Sequence, residues 1–304
     1  MEENQENRTY TMRQENELEA EEAGVPWALV TYDHYDRAVT EKYYGADGTP
    51  VEGPEGACQV EREYTSRNQL AGIRYLDAAG NGAAVNGVYG IRWTYNAFGN
   101  LEQQTWLGAD GAPALNEEGY AGILYDYDLS NATSAEKYWQ YYQDENLNPT
   151  QARNGAWGRL EVYYPVTRIH TVTYLGEDEA PVMTSDGYAI LEYEQDEDGN
   201  MTYEGYYDTI KAPINCAEGY ASVERGYDGS GRLISERYLD RYNKLTNNRD
   251  GVAGWNGYYD DEGNLVVTSR YDQDRNALPA DEAGEAEEFG DGEEAEFEEM
   301  DDAA

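Results

Sequence analysis

Short stretches in which apolar and polar residues alternate recur along the chain, each broken by a cluster of Gly, Asp, Asn and Pro. Alternation with a period of two is the signature of a half-buried strand, and the clusters supply turn residues. Ile91-Arg92-Trp93-Thr94-Tyr95 reads as a strand, Asn96-Ala97-Phe98-Gly99-Asn100 as a turn with a glycine for positive φ, and Leu101 to Trp106 as the return strand. Gly108-Ala109-Asp110-Gly111-Ala112-Pro113 forms a second turn, and Asn116 to Tyr120 leads to the next hairpin.

The pattern repeats. An aromatic residue that opens a Gly/Asp turn recurs at Tyr43, Tyr75, Trp106, Tyr141, Tyr174, Tyr206, Tyr238 and Tyr271, with spacings of 32, 31, 35, 33, 32, 32 and 33. A glycine before a small or aromatic pair recurs at Gly56, Gly87, Gly119, Gly155, Gly187, Gly219 and Gly251, and a Tyr before a turn at Tyr32, Tyr64, Tyr95, Tyr127, Tyr193, Tyr227 and Tyr259. Both long series stretch at the fourth repeat, which marks a local insertion near Asn131 to Tyr142. The expected fold is all-β: an elongated tandem array of about eight β-hairpin repeats of ~32 residues, spanning 27–279. A lone hairpin is marginal in water, so each repeat must pack on its neighbours. Acidic, disordered segments are expected at 1–26, with weak helicity over Arg13 to Ala23, and at 280–304, where residues 281–304 carry 13 acidic and no basic residues.

Composition sharpens this picture. Thirty Tyr stand against 3 Phe, which suits rings covered on one side and wet at the hydroxyl. The net charge of −41 argues against nucleic acid or an anionic membrane as a partner. No apolar run approaches the ~18 residues of a membrane span, so no membrane insertion is expected. The first 25 residues do not read as a signal peptide, so a secreted or surface location requires an export signal upstream.

The inventory for catalysis is poor. His34 and His170 stand in unlike contexts, and Cys58 and Cys216 fall at different repeat offsets, outside any disulfide framework. No catalytic residue, cofactor or metal site is assigned. Asp-rich turns such as Glu194 to Asn200 offer oxygens, but the helix-loop-helix calcium pattern needs a Glu where this chain has Gly205, leaving structural turns or weak calcium binding. The aromatic row from Tyr43 to Tyr271 is the candidate ligand-binding feature: one offset in every repeat aligns the rings, either to stack on sugars or a partner, or to fill the interior.

Tyr227-Asp228-Gly229-Ser230-Gly231-Arg232-Leu233, Tyr259-Asp260-Asp261-Glu262-Gly263-Asn264-Leu265 and Tyr95-Asn96-Ala97-Phe98-Gly99-Asn100-Leu101 resemble the YD repeats of the bacterial RHS family, over residues 27–275. The period is longer than that family's. The second half of each repeat, as in Tyr43-Tyr44-Gly45-Ala46-Asp47-Gly48 and Tyr206-Tyr207-Asp208, is similar to the cell-wall-binding hairpins of Gram-positive bacteria. Either resemblance implies a bacterial surface or secreted protein with a structural or carbohydrate-contacting role. The expected function is therefore a non-enzymatic binding or spacer module whose partner is a cell-wall or other polysaccharide, or a protein. The alternative is an enzyme accessory or glycosidase-like protein with a local site at Tyr138-Trp139-Gln140-Tyr141-Tyr142 and Trp157.

Overall fold

The computed structural model describes residues 8–12, 25, 27–128, 135–260 and 262–279, with only the backbone for 8–12. Every regular element in it is a β-strand. The first eleven are β1 (Arg8–Met12), β2 (Trp27–Tyr32), β3 (Ala38–Tyr44), β4 (Gln59–Tyr64), β5 (Leu70–Leu76), β6 (Gly90–Tyr95), β7 (Leu101–Leu107), β8 (Gly122–Tyr127), β9 (Glu136–Gln143), β10 (Gly158–Tyr164) and β11 (Ile169–Leu175). They continue as β12 (Ile190–Gln195), β13 (Met201–Tyr207), β14 (Ser222–Tyr227), β15 (Leu233–Leu239), β16 (Gly254–Tyr259) and β17 (Leu265–Tyr271).

The chain divides into two compact parts, Met1–Glu192 with Tyr207–Ala212, and Tyr193–Tyr206 with Pro213–Ala304. In the first, β1 to β11 pair antiparallel, each strand with the next in sequence. In the second, β13 to β17 do the same. The repeated hairpin array read from the sequence is the fold.

Arg8–Met12 departs from the disordered segment expected over 1–26. It pairs with β2 from Arg8↔Tyr32 to Met12↔Ala28. Thr9, Tyr10 and Thr11 are good strand formers, a local signal outweighed in the sequence reading by the Glu-rich residues around it. Arg13 to Ala23 and the segment 280–304 lie outside the described residues.

Three turns build each repeat, and nearly all obey one rule: the first residue donates its N–H to the carbonyl four places on, and accepts from the N–H three places on. Asp228 is one such head residue, bonded to Arg232 and Gly231; Asp240 and Asn248 repeat the geometry in the second and third turns that follow. In the turns that obey it the fourth residue has positive φ, as at Gly231 (77°), Asn243 (59°) and Gly251 (78°). A type I turn closed by a left-handed residue is the three-residue hairpin loop with a bulge, and the pairing of β14 with β15 shifts register at Gly226/Tyr227 accordingly. Asp heads are favoured because the side chain also caps the turn: Asp144 Oδ1 accepts the N–H groups of Asn146 (2.8 Å) and Asn148 (2.9 Å).

Departures from the period have local causes. The third turn of the second repeat is the two-residue Asn86-Gly87 (φ 48° and 81°) between Val85 and Val88, which shortens that repeat by a residue. In the fourth repeat the first turn is enlarged, Asp128 N–H reaching Lys137 O.

Candidate functional site

The aromatic row lies inside. Tyr43, Tyr75, Trp106, Tyr206 and Tyr238 are buried and Tyr174 is half-buried. The backbone defines the row's phase. Each member donates its N–H to the residue before the next strand, as Tyr43 to Cys58, Trp106 to Ala121, Tyr174 to Ala189 and Tyr238 to Ala253. Each carbonyl accepts from the segment between the second and third turns, as from Val51, Ala114, Val182 and Thr246. By this rule the fourth member is Tyr142 (bonded to Trp157 and Thr150), and the eighth is Arg270, whose carbonyl accepts from Leu278. Tyr141 and Tyr271, the row members expected from sequence, are one residue out of phase and point from the opposite sheet face, because side chains alternate along a strand. The constant two-residue step from row residue to second-turn head, Tyr142 to Asp144 and Arg270 to Asp272, is the signal that finds the phase.

Rings from the third turn fill the gaps in the row. Tyr120 meets Trp106 edge-on at 5.3 Å and stacks on Tyr142 at 4.4 Å; Tyr220 sits 5.8 Å from Tyr206 and 4.7 Å from Tyr238. Such pairs contribute about 0.5–1.5 kcal/mol beyond burial.

The hydroxyls explain why the rings are Tyr. Tyr43 donates to Glu41 (2.5 Å), Tyr238 to Glu236 (2.8 Å) and Tyr206 to Glu204, each carboxylate two places earlier on the same strand face. Arg225 ties two of these together, reaching Glu204 at 3.0 Å and Glu236 at 3.1 Å, and Trp255 Nε1 also donates to Glu236 at 2.9 Å. Arg62 repeats the device with Glu41 (2.9 Å, an ionic contact rather than an aligned hydrogen bond) and Glu55. In the fourth repeat the charges exchange places: Glu161 takes Tyr138 and Arg159, and Arg159 Nε donates to Gln140 at 2.5 Å. Burial first, then the neighbouring carboxylates, push the phenols of Tyr43, Tyr206 and Tyr238 far above the usual range.

The second tyrosine series is a staple. Tyr64 donates to Ala38 O (3.1 Å), Tyr95 to Leu70 O (2.7 Å) and Tyr227 to Met201 O (2.8 Å), each the first residue of the preceding strand. Arg37 packs over Tyr64 at 4.6 Å and Arg232 over Tyr259 at 4.2 Å, the same cation–π step at equivalent places.

The opposite sheet face is open over much of its length, although Thr105 and Gly205 on it are buried. Arg92, Thr94, Leu124, Asp126, Asn256 and Tyr258 are exposed while their strand neighbours are covered. Directly opposed pairs at mid-strand are Glu61↔Arg74, Arg92↔Thr105, Leu124↔Tyr141, Leu160↔Thr173, Glu224↔Arg237 and Asn256↔Ser269. Glu61–Arg74 and Glu224–Arg237 are exposed ion pairs. At the same place Leu124 and Tyr141 form an apolar pair, next to Trp139 and Leu160, which oppose each other between β9 and β10.

Comparison with known proteins adds little to this geometry. No family model matches the chain, and no curated protein matches it significantly. The solved structures similar to it include TcdB2-TccC3 (TM-score 0.26, 12% identity, 83% of this chain and 14% of that one) and TcdB2-TccC3-Cdc42 (0.22, 13%, 83% and 15%). The chain spans about a seventh of the length of the structures it matches.

The remaining candidates have local roles. His34 packs against Tyr35 at 3.6 Å and His170 stacks on Tyr163 at 4.2 Å. Both cysteines are free thiols, and burial pushes that of Cys216 up. Among the described residues no group of three or more His, Cys, Asp or Glu is placed to hold a metal ion, and no helix is long and apolar enough to cross a membrane.

Proposed function

We propose that this chain is a non-enzymatic repeat module, presenting ligand-contacting side chains from its open sheet face at a bacterial surface. The observation that carries this reading is the use of the aromatic row as mortar: its rings and hydroxyls are spent on joining each repeat to the next, so contact with a ligand falls to the opposite face. A regular face repeated along β-hairpins suits weak, distributed contacts that add by avidity. The chain's strong negative charge points to an uncharged or cationic partner, and a cell-wall or other polysaccharide fits.

The test is a pull-down of the purified chain on peptidoglycan, teichoic acid and neutral polysaccharides, with and without calcium, beside an assay for released reducing sugar. Saturable capture without sugar release is expected. Release of sugar by the chain, or capture by none of the polymers, overturns the reading. Excision of one repeat, residues 44–75, leaves a folded and binding-competent chain if the contacts lie elsewhere on a modular face.

A further inference from the structure

The repeats are their own comparison set, because the register assigns equivalent positions without sequence similarity. At the place of Tyr141 the other hairpins carry Lys42, Arg74, Thr105, Thr173, Gly205, Arg237 and Ser269, none of them apolar and bulky. At the place of Leu124 they carry Glu61, Arg92, Glu224 and Asn256, with leucine only at Leu29 and Leu160. Only the fourth repeat therefore sets an aromatic ring beside a leucine at this pair of places.

The patch is contiguous. Leu124 lies across β8–β9 from Tyr141, Trp139 lies across β9–β10 from Leu160, and Tyr141 faces Gly158, which has no side chain to cover that flank of the ring. Leu124 is 39% exposed, and both aromatic residues are half-exposed. The rim is acidic: Asp126 opposes Trp139, and the charges of Glu179 and Asp126 act on the Tyr141 phenol, which burial pushes up first.

We propose that Leu124, Trp139, Tyr141 and Leu160 form a binding platform for a neutral polysaccharide, the sugar rings laying their apolar C–H faces on Trp139 and Tyr141. This rests on the reading of the chain as a binding module. Size argues for a sugar chain over a protein: a stable protein interface engages roughly 20–30 residues on each side, far more than this patch offers. Two adjacent aromatics amid polar neighbours match a short run of pyranose rings, and the acidic rim with a net charge of −41 turns away anionic polymers.

Affinity electrophoresis of the full chain tests this, in native gels cast with hydroxyethyl cellulose, glucomannan or polygalacturonate, against a gel without polymer. Retardation in a neutral gel and none in polygalacturonate is expected. The double variant Leu124→Glu with Tyr141→Arg installs the Glu61–Arg74 pair of the second repeat without changing net charge, and should weaken retardation about tenfold or more. Tyr141→Thr, the residue that equivalent positions 105 and 173 hold, gives a second variant of minimal structural effect. No retardation of the parent chain in either neutral gel, or equal retardation of parent and both variants, overturns the proposal. So does retardation in a further gel cast with polylysine that the charge-neutral double variant relieves, with none in the neutral gels, which would make the patch a docking face for cationic peptides. Equal retardation leaves the binding-module reading standing, whereas released sugar overturns that reading instead.

Discussion

Tyr95 Oη donates a 2.7 Å hydrogen bond to the carbonyl of Leu70, the residue that opens the preceding hairpin's return strand. The ring alone would fill the same space, so the hydroxyl is what links one strand to another here. Tyr95→Phe should cost about 0.5–1.5 kcal/mol by leaving that carbonyl without its donor, with Tyr64→Phe and Tyr227→Phe close to it. Urea unfolding of the three variants checks this, and a cost indistinguishable from zero at all three sites would remove the staple from the account.

Arg225 is a harsher case. It holds Glu204 and Glu236 together in a mostly covered site, so removing it strands two carboxylates. Arg225→Met is expected to destabilise by about 3–5 kcal/mol at neutral pH. Adding Glu204→Gln and Glu236→Gln should recover much of the loss, measured as a shift in the unfolding midpoint.

Glu179 is exposed and holds φ at 61°, in a turn position where three repeats use glycine, at Gly48, Gly80 and Gly111, and four others a residue with a side chain, as at Leu147 and Lys211. A left-handed backbone costs a non-glycine residue about 1–2 kcal/mol. Glu179→Gly should therefore stabilise the chain by up to about 1 kcal/mol after the added entropy of the unfolded glycine is deducted; a lower melting temperature would contradict it.

Alkali should unfold the protein through its tyrosines. Burial pushes Tyr127 up to about 12, and burial with adjacent carboxylates raises Tyr43, Tyr206 and Tyr238 further. The folded state holds these protons more tightly than the unfolded chain, whose phenols titrate near pH 10. Their contribution to stability is thus fully present below about pH 10 and is lost as pH rises beyond it. Phenolate absorbance and the β-sheet dichroism followed together against pH should change in one cooperative step above that point. Complete phenol ionisation near pH 10 with the dichroism intact would contradict the buried hydroxyl network.

The hairpins, their number and their turns were legible because period-two alternation and Gly/Asp clusters are local signals. The row's phase at Tyr141 and Tyr271 was not, since Tyr141-Tyr142 offers two adjacent rings and Arg270 replaces the eighth aromatic. Its interior location was one of the two readings the sequence left open, and the choice between them lies in how the segment after the second turn folds back over the strand, with Gly53 against the Tyr43 ring. The third turn looks like a mere connection in the sequence, although its head residue and left-handed glycine follow the same rule as the other two. The Leu124–Tyr141 pair was invisible for a different reason: its meaning lies in register, which no single stretch of sequence displays.

The sequential pairing of β13 to β17 also sets how this part of the molecule would respond to force. A pull that peels β17 from β16 breaks their ladder one hydrogen bond at a time, as a zipper does, instead of shearing many bonds together. Each repeat that lets go pays out about 110 Å of contour for its ~32 residues. Peeling from that side would then lengthen the protein in even steps, each halted by the next ring-and-hydroxyl joint, with the tyrosines as its detents.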